Sequence, residues 1–211
     1  CEKGGQWQLA LQLFGLMPHF GVAPNVISCS AAMSACEKGG QWQRAVALFT
    51  AMPQLRIAPN VIACSAAISA CGKGGEWQHA LALLSLMPRL CISPNVISCS
   101  AAISACRQGG HWQRALSLFG CMPKLRISCD AVSCSSTISV CEEGQWQPAL
   151  ALLGAMPRFF LPADAVSCSA ALHACGKGAQ WLHALTSLGL MHRLRSKPTT
   201  VSCNAAVSAC E

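Results

Sequence analysis

The sequence of 211 residues contains no tyrosine, and only 11% of its residues are charged. Eight acidic residues stand against 15 lysines and arginines, which gives a formal net charge of +7. This balance is compatible with a polyanionic partner, and equally with a charge that only aids solubility. Although 53% of the residues are hydrophobic, no apolar run approaches the ~20 residues that a membrane-spanning helix needs.

Motifs that indicate catalysis or metal binding are also missing. The 16 cysteines include no Cys-x-x-Cys pair, and no cysteine–histidine set has the spacing of a zinc finger. Glycine pairs such as Gly39-Gly40 separate helical patterns and are interpreted as turns, not as phosphate-binding loops. No nucleophile–base pair stands out. We therefore predict a protein that is not an enzyme and that needs no cofactor or metal ion.

Six tryptophans, in contrast, recur at an almost constant interval. Successive members of the series are 35, 35, 35, 34 and 35 residues apart, at Trp7, Trp42, Trp77, Trp112, Trp146 and Trp181. A fixed period of this length is typical of a repeat protein. We predict a single array over residues 1–211, consisting of a partial repeat 1–25, repeats 26–60, 61–95, 96–130, 131–164 and 165–199, and a partial repeat 200–211. We expect this array to be a piece of a longer one, with apolar surface at both ends.

Within repeat 26–60 the apolar residues have the spacing of a helix. They recur every three or four residues, at Val26, Cys29, Met33 and Cys36. This stripe predicts a first helix, with Asn25 as its N-cap and Gly39-Gly40 at its end. A second helix is predicted from about Gln41 to Met52. Each repeat is thus a helical hairpin that must stack on its neighbours to bury its apolar faces, which predicts an all-α solenoid.

Thirteen of the cysteines fall at two fixed places in the repeat, seven residues apart. One series is Cys29, Cys64, Cys99, Cys134, Cys168 and Cys203, and the other is Cys1, Cys36, Cys71, Cys106, Cys141, Cys175 and Cys210. Seven residues make two helical turns, so both sulfurs of a repeat lie on one face. We interpret them as small buried groups in helix packing, in a reducing compartment, instead of disulfides or metal ligands.

The first helix carries a second stripe, in which an aliphatic residue is followed one turn later by a hydroxyl. In repeat 26–60 this stripe includes Ile27, Ser30 and Ser34, and the pattern recurs along the chain. Because the other stripe is predicted to be buried, we expect this one to face the inside curve of the solenoid. Its repetition beside an Asn or Asp at each repeat boundary favours a row of ligand-binding residues over helix filler.

The repeat unit resembles the pentatricopeptide repeat over essentially the whole chain. The resemblance is carried by the 35-residue period and by three motifs: the turn Cys36-x-Lys38-Gly39, the helix Ala45-x-x-Leu48-Phe49-x-x-Met52 and the closing pair Pro59-Asn60. It implies a right-handed, all-α solenoid of stacked helical hairpins. Cys29 and its equivalents depart from the family, which usually has an aromatic residue there. The tetratricopeptide repeat is a poorer match, because it has 34 residues and its own Trp and Tyr pattern.

The pentatricopeptide family reads single-stranded RNA at one base per helical repeat. The resemblance implies that a serine of the first helix and the last residue of the repeat select the base together. These pairs are Ser30 with Asn60, Ser65 with Asn95, Ser100 with Asp130, Ser135 with Asp164, and Ser169 with Thr199. By analogy with the family, Ser with Asn suits adenine and Ser with Asp suits guanine. The implied RNA is A-A-G-G followed by an open fifth base, with its 5′ end near the N-terminus.

The resemblance also implies that the aliphatic residues of the second stripe sandwich the bases. They are Ile27, Ile62, Ile97, Val132, Val166 and Val201. Four basic residues lie at the ends of first helices: Lys38, Lys73, Arg107 and Lys177. Two interpretations of these four stay open, namely contacts with RNA phosphates and interaction with the negative end of the helix dipole.

We therefore expect sequence-specific binding of single-stranded RNA that directs processing, editing, stability or translation of a transcript. Other RNA-processing proteins are expected as further partners, whereas no membrane and no small-molecule substrate is expected. Members of this family mostly act in mitochondria or chloroplasts, which implies one of these locations. The alternative is an interaction scaffold of the tetratricopeptide kind, which would bind a peptide in the same groove. Only the RNA binder should lose affinity steeply as salt rises.

Overall fold

The computed structural model describes residues 6–193 and 198–210. Within these ranges the regular structure consists of α-helices and short 3₁₀ turns, with no β-strand. The chain forms two compact units, Cys1–Gly109 and Gly110–Glu211, and each unit is described by itself. The sequence-based expectation that residues 1–211 form one array stays a prediction.

The first unit contains six of the described helices, alternating between first and second helices of the repeats. They are α1 (Trp7–Leu16), α2 (Val26–Lys38), α3 (Trp42–Ala51), α4 (Val61–Lys73), α5 (Trp77–Leu86) and α6 (Val96–Gln108). The first helices α2, α4 and α6 pack side by side in that order. The second helix α3 packs against α2 and α4, and α5 packs against α4 and α6. The result is a two-layer stack of hairpins.

The second unit repeats this arrangement. Its helices are α7 (Trp112–Cys121), α8 (Ala131–Val140), α9 (Trp146–Ala155), α10 (Ala165–Lys177), α11 (Trp181–Arg193) and α12 (Thr200–Ser208). Here α10 contacts both α8 and α12, while α9 and α11 pack against α10 as the second layer. The predicted boundaries agree with the observed ones, since the helix predicted from Gln41 to Met52 is observed as α3, with those two residues as its caps.

Each first helix begins directly after the polar residue that closes the preceding repeat. The side-chain oxygen of that residue accepts a hydrogen bond from the backbone N–H at the third helical position. A capping box forms where this position holds a serine, because the serine hydroxyl accepts a hydrogen bond from the backbone N–H of the cap residue. This is the case in α2, α6, α8, α10 and α12. In α4 the position holds Ala63, so only the bond from the Ala63 N–H to the Asn60 side chain is made.

The periodic tryptophans connect one repeat to the next. Trp7 and Trp42 pack against Gly39 and Gly74, the glycines that follow the first helix of the next repeat. Each ring also carries a second partner from that repeat. The guanidinium of Arg44 lies 4.8 Å from the Trp7 ring centroid, and the Trp42 and His79 rings are 5.1 Å apart. The same packing motif thus recurs one repeat apart for Trp7 and Trp42, in agreement with their spacing.

The cysteine series are largely buried, as predicted. All ten members from Cys29 to Cys175 are buried, and burial raises the pKa of the Cys64 and Cys71 thiols to about 11. Cys203 and Cys210 are exposed, so the prediction is wrong for these two. The reason is that no further first helix packs on α12 within the described residues. Cys1 lies outside them.

Two deviations in the sequence alter turns without altering the hairpin. The one-residue deletion in repeat 131–164 shortens the first helix α8 to 10 residues, against 13 in α10, and a 3₁₀ turn over Cys141–Glu143 follows it. Ala179 occupies the place of a turn glycine and has a φ of 53°, in the left-handed region. Both changes alter a turn and leave the helical hairpin in place.

Candidate nucleic-acid interface

The aliphatic residues of the second stripe lie at the same position on the surface of each first helix. All six are between 54% and 75% exposed: Ile27, Ile62, Ile97, Val132, Val166 and Val201. A single exposed aliphatic side chain is ordinary on a protein surface. The same exposure at the same helical position in six helices is not expected from chance, and it leaves apolar surface available to a ligand.

Two neighbouring grooves in the first unit bring the predicted base-selecting residues together. The first groove, of about 290 Å³, is lined by Ser30 and Asn60 together with Ile27 and Ile62. The second, of about 340 Å³, is lined by Ser65, Asn95, Ile62 and Ile97. Ile62 therefore borders both grooves. Each serine shares a groove with the amide residue that the sequence pairs with it, between two aliphatic side chains.

The serines predicted to select bases are less exposed than the aliphatic residues. Ser30 and Ser65 are each 9% exposed, and their hydroxyls donate to the backbone oxygens of Val26 (2.7 Å) and Val61 (2.8 Å). Ser169 donates in the same way to the Ala165 oxygen, at 2.6 Å. Because the hydroxyl hydrogen is donated to a backbone oxygen, the serine oxygen can only accept a hydrogen bond from a ligand.

Two of the serines differ from this pattern. The Ser135 hydroxyl donates to the Val132 oxygen at a longer distance of 3.2 Å. The Ser100 oxygen is buried and has no hydrogen-bond partner in the part of the chain that the structure describes. Ser100 lies in the first unit and its predicted partner Asp130 in the second, so the structure describes the two separately.

The residues that close the repeats have two potential tasks, because each is also a helix cap. The Asn60 Oδ1 accepts from the Ala63 N–H at 2.9 Å, and the Asn95 Oδ1 accepts from the Ser98 N–H at 3.0 Å. The cap occupies the amide oxygen and leaves the amide N–H₂ group, a donor. An uncapped amide offers both a donor and an acceptor, whereas the capped amide keeps only the donor available.

The aspartates present the opposite chemistry. The Oδ1 of Asp130 accepts from the Ser133 N–H at 2.7 Å, and the Oδ1 of Asp164 accepts from the Ser167 N–H at 2.8 Å. The remaining oxygen, Oδ2, is an acceptor in the ionised form. Thr199 also caps its helix, and its hydroxyl lies 3.3 Å from the Ser202 Oγ. A capped Asn thus offers a donor, a capped Asp offers an acceptor, and Thr199 is occupied within its own turn.

All four basic residues predicted as phosphate contacts lie in the last turn of a first helix: Lys38, Lys73, Arg107 and Lys177. Two of them form ion pairs with an acid of the preceding repeat. The Lys73 Nζ is 2.9 Å from the Glu37 Oε1, and the Lys177 Nζ is 3.2 Å from the Glu143 Oε1. Sequence analysis missed these pairs. A search for opposite charges one repeat apart would have found them.

The described residues show little sign of other kinds of site. Across residues 6–193 and 198–210, no group of three or more His, Cys, Asp or Glu residues is placed to hold a metal ion. In the same part of the chain, no helix is both long enough and apolar enough to cross a membrane.

Comparison with protein families places this geometry in a known class. The family model described as pentatricopeptide repeat domain matches residues 12–74, and a second one, described as PPR repeat, matches residues 62–92 and 97–127. Together these matches cover more than half of the chain. The chain therefore belongs to the pentatricopeptide repeat family. A search of curated proteins finds no match.

Solved structures share the fold. The pentatricopeptide repeat protein PPR10 from maize matches with a TM-score of 0.73 and 23% identity over 98% of this chain, which spans 30% of PPR10. PPR10 in complex with an 18-nt psaJ RNA element matches with a TM-score of 0.59 and 22% identity, over 98% of this chain and 34% of that one. The PPR domain of Arabidopsis thaliana protein-only RNase P 1, in complex with tRNA, matches with a TM-score of 0.69 and 12% identity, over 84% of this chain and 94% of that domain. The predicted all-α solenoid fold is confirmed.

Proposed function

We propose that this chain binds single-stranded RNA sequence-specifically and reads one base per repeat. The observation that carries the proposal is the groove shared by Ser30 and Asn60, between Ile27 and Ile62. Aliphatic side chains on both sides suit the apolar faces of an unstacked base, and the two polar groups suit its hydrogen-bonding edge. The net charge of +7 and the RNA-bound structures of PPR10 and of the RNase P domain support the proposal.

Guanine is the base that we propose for repeats closed by Asp. In the repeat of Ser135 and Asp164, the serine oxygen and the free carboxylate oxygen are both acceptors. Guanine is the RNA base with two adjacent donors, N1–H and N2–H₂, on its Watson–Crick edge. A carboxylate acceptor also forms the stronger, charge-assisted kind of hydrogen bond. The free carboxylate oxygen of Asp130 offers the same acceptor.

Adenine is the base that we propose for repeats closed by Asn. The Ser30 oxygen accepts and the Asn60 amide donates, which matches the N6–H₂ and N1 of adenine. These two groups would also fit the N4–H₂ and N3 of cytosine, and the family pattern is the reason for choosing adenine. The proposed RNA is therefore A-A-G-G with its 5′ end toward the N-terminus. The base at the repeat of Ser169 and Thr199 stays open.

The experiment that tests this function is binding of short labelled RNAs by fluorescence anisotropy. The proposal expects tight binding of an A-A-G-G segment within oligouridine, weaker binding of C-C-G-G and G-G-A-A segments, and little binding of the same sequence in a duplex. The affinity should fall steeply with salt. Equal affinity for all these RNAs, or binding that ignores salt, would contradict the proposal and favour a peptide-binding scaffold.

We also propose that the bound RNA is a mitochondrial or chloroplast transcript whose processing, editing, stability or translation the protein directs. Membership of the pentatricopeptide repeat family supports this location. The proposed role is binding alone, with the chemistry supplied by other RNA-processing proteins. Organelle fractionation of cells that express the native protein, followed by crosslinking and sequencing of bound RNA, tests this role. Recovery of only nuclear or cytosolic transcripts would contradict it.

A further inference from the structure

The two grooves of the first unit carry the same pair of base-selecting residues, yet they differ in charge. No charged side chain lines the first groove, whereas the Glu37 carboxylate lines the second, beside Ser65 and Asn95. A carboxylate in a groove that binds a polyanion weakens binding by charge repulsion. The contacts of Glu37 indicate what role it has there.

Glu37 is held in place from the following helix, α4. Its Oε1 accepts a hydrogen bond from the Ser69 hydroxyl at 2.8 Å and lies 2.9 Å from the Lys73 Nζ. The Glu37 side chain is only 17% exposed, whereas that of Lys73 is 49% exposed. The carboxylate is therefore anchored by a hydroxyl and shielded from water. The lysine reaches it from the more exposed side.

We propose that Lys73 is a phosphate-binding site for the RNA backbone that Glu37 holds masked. This proposal rests on the proposed RNA-binding function and deepens it. With its charge balanced by Glu37, the lysine contributes little net attraction to a phosphate at the second groove. Contacts of the protein with the base, and not attraction to the phosphate, then dominate the affinity at this groove. Glu37 thus lowers the overall affinity and leaves the base contacts as the main determinant of binding there.

The test is a double-mutant cycle on Glu37 and Lys73, measured by anisotropy with the A-A-G-G oligonucleotide over a series of salt concentrations. Glu37→Gln keeps an oxygen that accepts from Ser69 but removes the charge. The matched control is Glu76→Gln, which removes one charge from the N-cap of α5, where the carboxylate lies 3.5 Å from His79. Lys73→Met, alone and combined with Glu37→Gln, completes the cycle.

The expected result is specific to Glu37. Glu37→Gln should raise the affinity roughly threefold and steepen the dependence of log K on log salt by about 0.7, the value for one further phosphate of a single strand. Glu76→Gln should do neither. Lys73→Met alone should change the slope little, but it should cancel the gain when combined with Glu37→Gln. The gain should be similar for A-A-G-G and for a mismatched oligonucleotide, since the new contact is to the backbone and carries no sequence information.

Three results would overturn the assignment while wild-type binding stays intact. These are equal effects of Glu37→Gln and Glu76→Gln, a gain that survives Lys73→Met, or a full loss of 0.7 in slope from Lys73→Met in the wild-type background. Failure of the wild-type protein to bind any RNA would instead overturn the proposed function, and this inference with it.

Ser69→Ala distinguishes the charge of Glu37 from its hydrogen bond, because it removes only the hydrogen bond. It leaves the carboxylate in place and should give no gain, and a gain as large as that of Glu37→Gln would contradict the masking role.

The ion pair of the second unit provides an independent check. The Lys177 Nζ lies 3.2 Å from the Glu143 Oε1, and the side chains of Glu143 and Lys177 are 72% and 55% exposed. Water therefore screens this ion pair more strongly than the pair of Glu37 and Lys73. Glu143→Gln should therefore steepen the salt dependence less than Glu37→Gln does. A larger effect of Glu143→Gln would contradict the argument from burial.

Discussion

The Trp42 ring lies where a side chain of Gly74 would be, with its Cγ 2.7 Å from the position that a Cβ on that glycine would occupy. Trp146 has the same relationship to Gly178 in the second unit, also at 2.7 Å, measured to the ring Cδ1. In both pairs the tryptophan of one repeat leaves no room for a side chain at the glycine of the next, so the contact connects consecutive hairpins.

Gly74→Ala is expected to destabilise the first unit by about 1–3 kcal/mol, because the Trp42 ring must move to admit the new methyl group. The matched control is Gly154→Ala in α9, where a Cβ meets nothing within 4 Å. That change should stabilise by about 0.5–1 kcal/mol, since alanine is the better helix former. Urea unfolding followed by circular dichroism measures both. Equal effects of the two substitutions would contradict the tryptophan contact.

Ala179→Gly is expected to stabilise the protein by about 1 kcal/mol. Ala179 has a φ of 53°, where a Cβ is strained, and the equivalent Gly40 and Gly75 have φ values of 69° and 77°. The reverse change, Gly40→Ala, meets no neighbouring atom and should cost a similar amount for the conformational reason alone. The midpoints of thermal unfolding of the two variants should shift in opposite directions, and a shift in the same direction would rule out this explanation.

Ala63→Ser is expected to stabilise the protein by about 0.5–1 kcal/mol by completing the capping box that α4 lacks. The equivalent Ser98 in α6 donates to the Asn95 oxygen at 2.9 Å and accepts from the Asn95 N–H at 3.0 Å. Ser98→Ala, the matched control, should lose about as much as Ala63→Ser gains. Chemical denaturation at neutral pH provides the measurement. No change for either variant would show that these boxes contribute nothing to stability.

Stability is expected to fall as the pH rises above 9. Burial raises the pKa of Cys64, Cys71, Cys141 and Cys175 to about 11 and that of Cys134 to about 12, from an ordinary value of 9.0. Below pH 9 these thiols are protonated in both the folded and the unfolded state, so they cause no pH dependence of stability. Between pH 9 and 11 the unfolded chain releases protons that the folded protein retains, which favours unfolding.

Replacing Cys64 and Cys71 with alanine should make this alkaline decrease shallower, because two of the coupled groups are gone. Cys91→Ser should leave the decrease unchanged, because Cys91 is exposed. Urea midpoints measured from neutral pH to pH 11 test the difference. If the double variant and the wild-type protein lose stability in parallel, deprotonation of the buried thiols is not the cause.

Much of the fold could be predicted from the sequence, because the same pattern of residues recurs in every repeat. The stripe that includes Cys29 and Met33 is buried, and Asn25 caps its helix as expected. The sequence also predicted which residues share a groove, since Ser30 and Asn60 lie at fixed places in one repeat. These features depend on spacing within a hairpin, and spacing is visible in a sequence.

Contacts between repeats were harder to predict. The ion pair of Glu37 with Lys73 joins two hairpins, so it is visible only when opposite charges about one repeat apart are compared, and not from the pattern within a repeat. The group of Asn60 that stays available to a ligand was not predicted. Its amide oxygen is occupied by the helix cap, and this becomes clear only when the hydrogen bonds are known. The exposure of Cys203 likewise depends on packing between repeats, since no further first helix packs on α12 within the described residues.

The central claim is that the residue closing each hairpin selects a base with the group that the helix cap leaves available. Asn60→Asp changes that group from a donor to an acceptor and preserves the cap, and Asn25→Asp makes the same change at a helix cap that lines neither groove. The most direct measurement is the affinity of each variant for A-A-G-G and G-A-G-G oligonucleotides. The account predicts that Asn60→Asp reverses the preference from the first to the second by roughly tenfold, a difference of about 1.4 kcal/mol within the range of one specific base contact, while Asn25→Asp leaves it unchanged. An unchanged preference in Asn60→Asp, or the same shift in both variants, would contradict it.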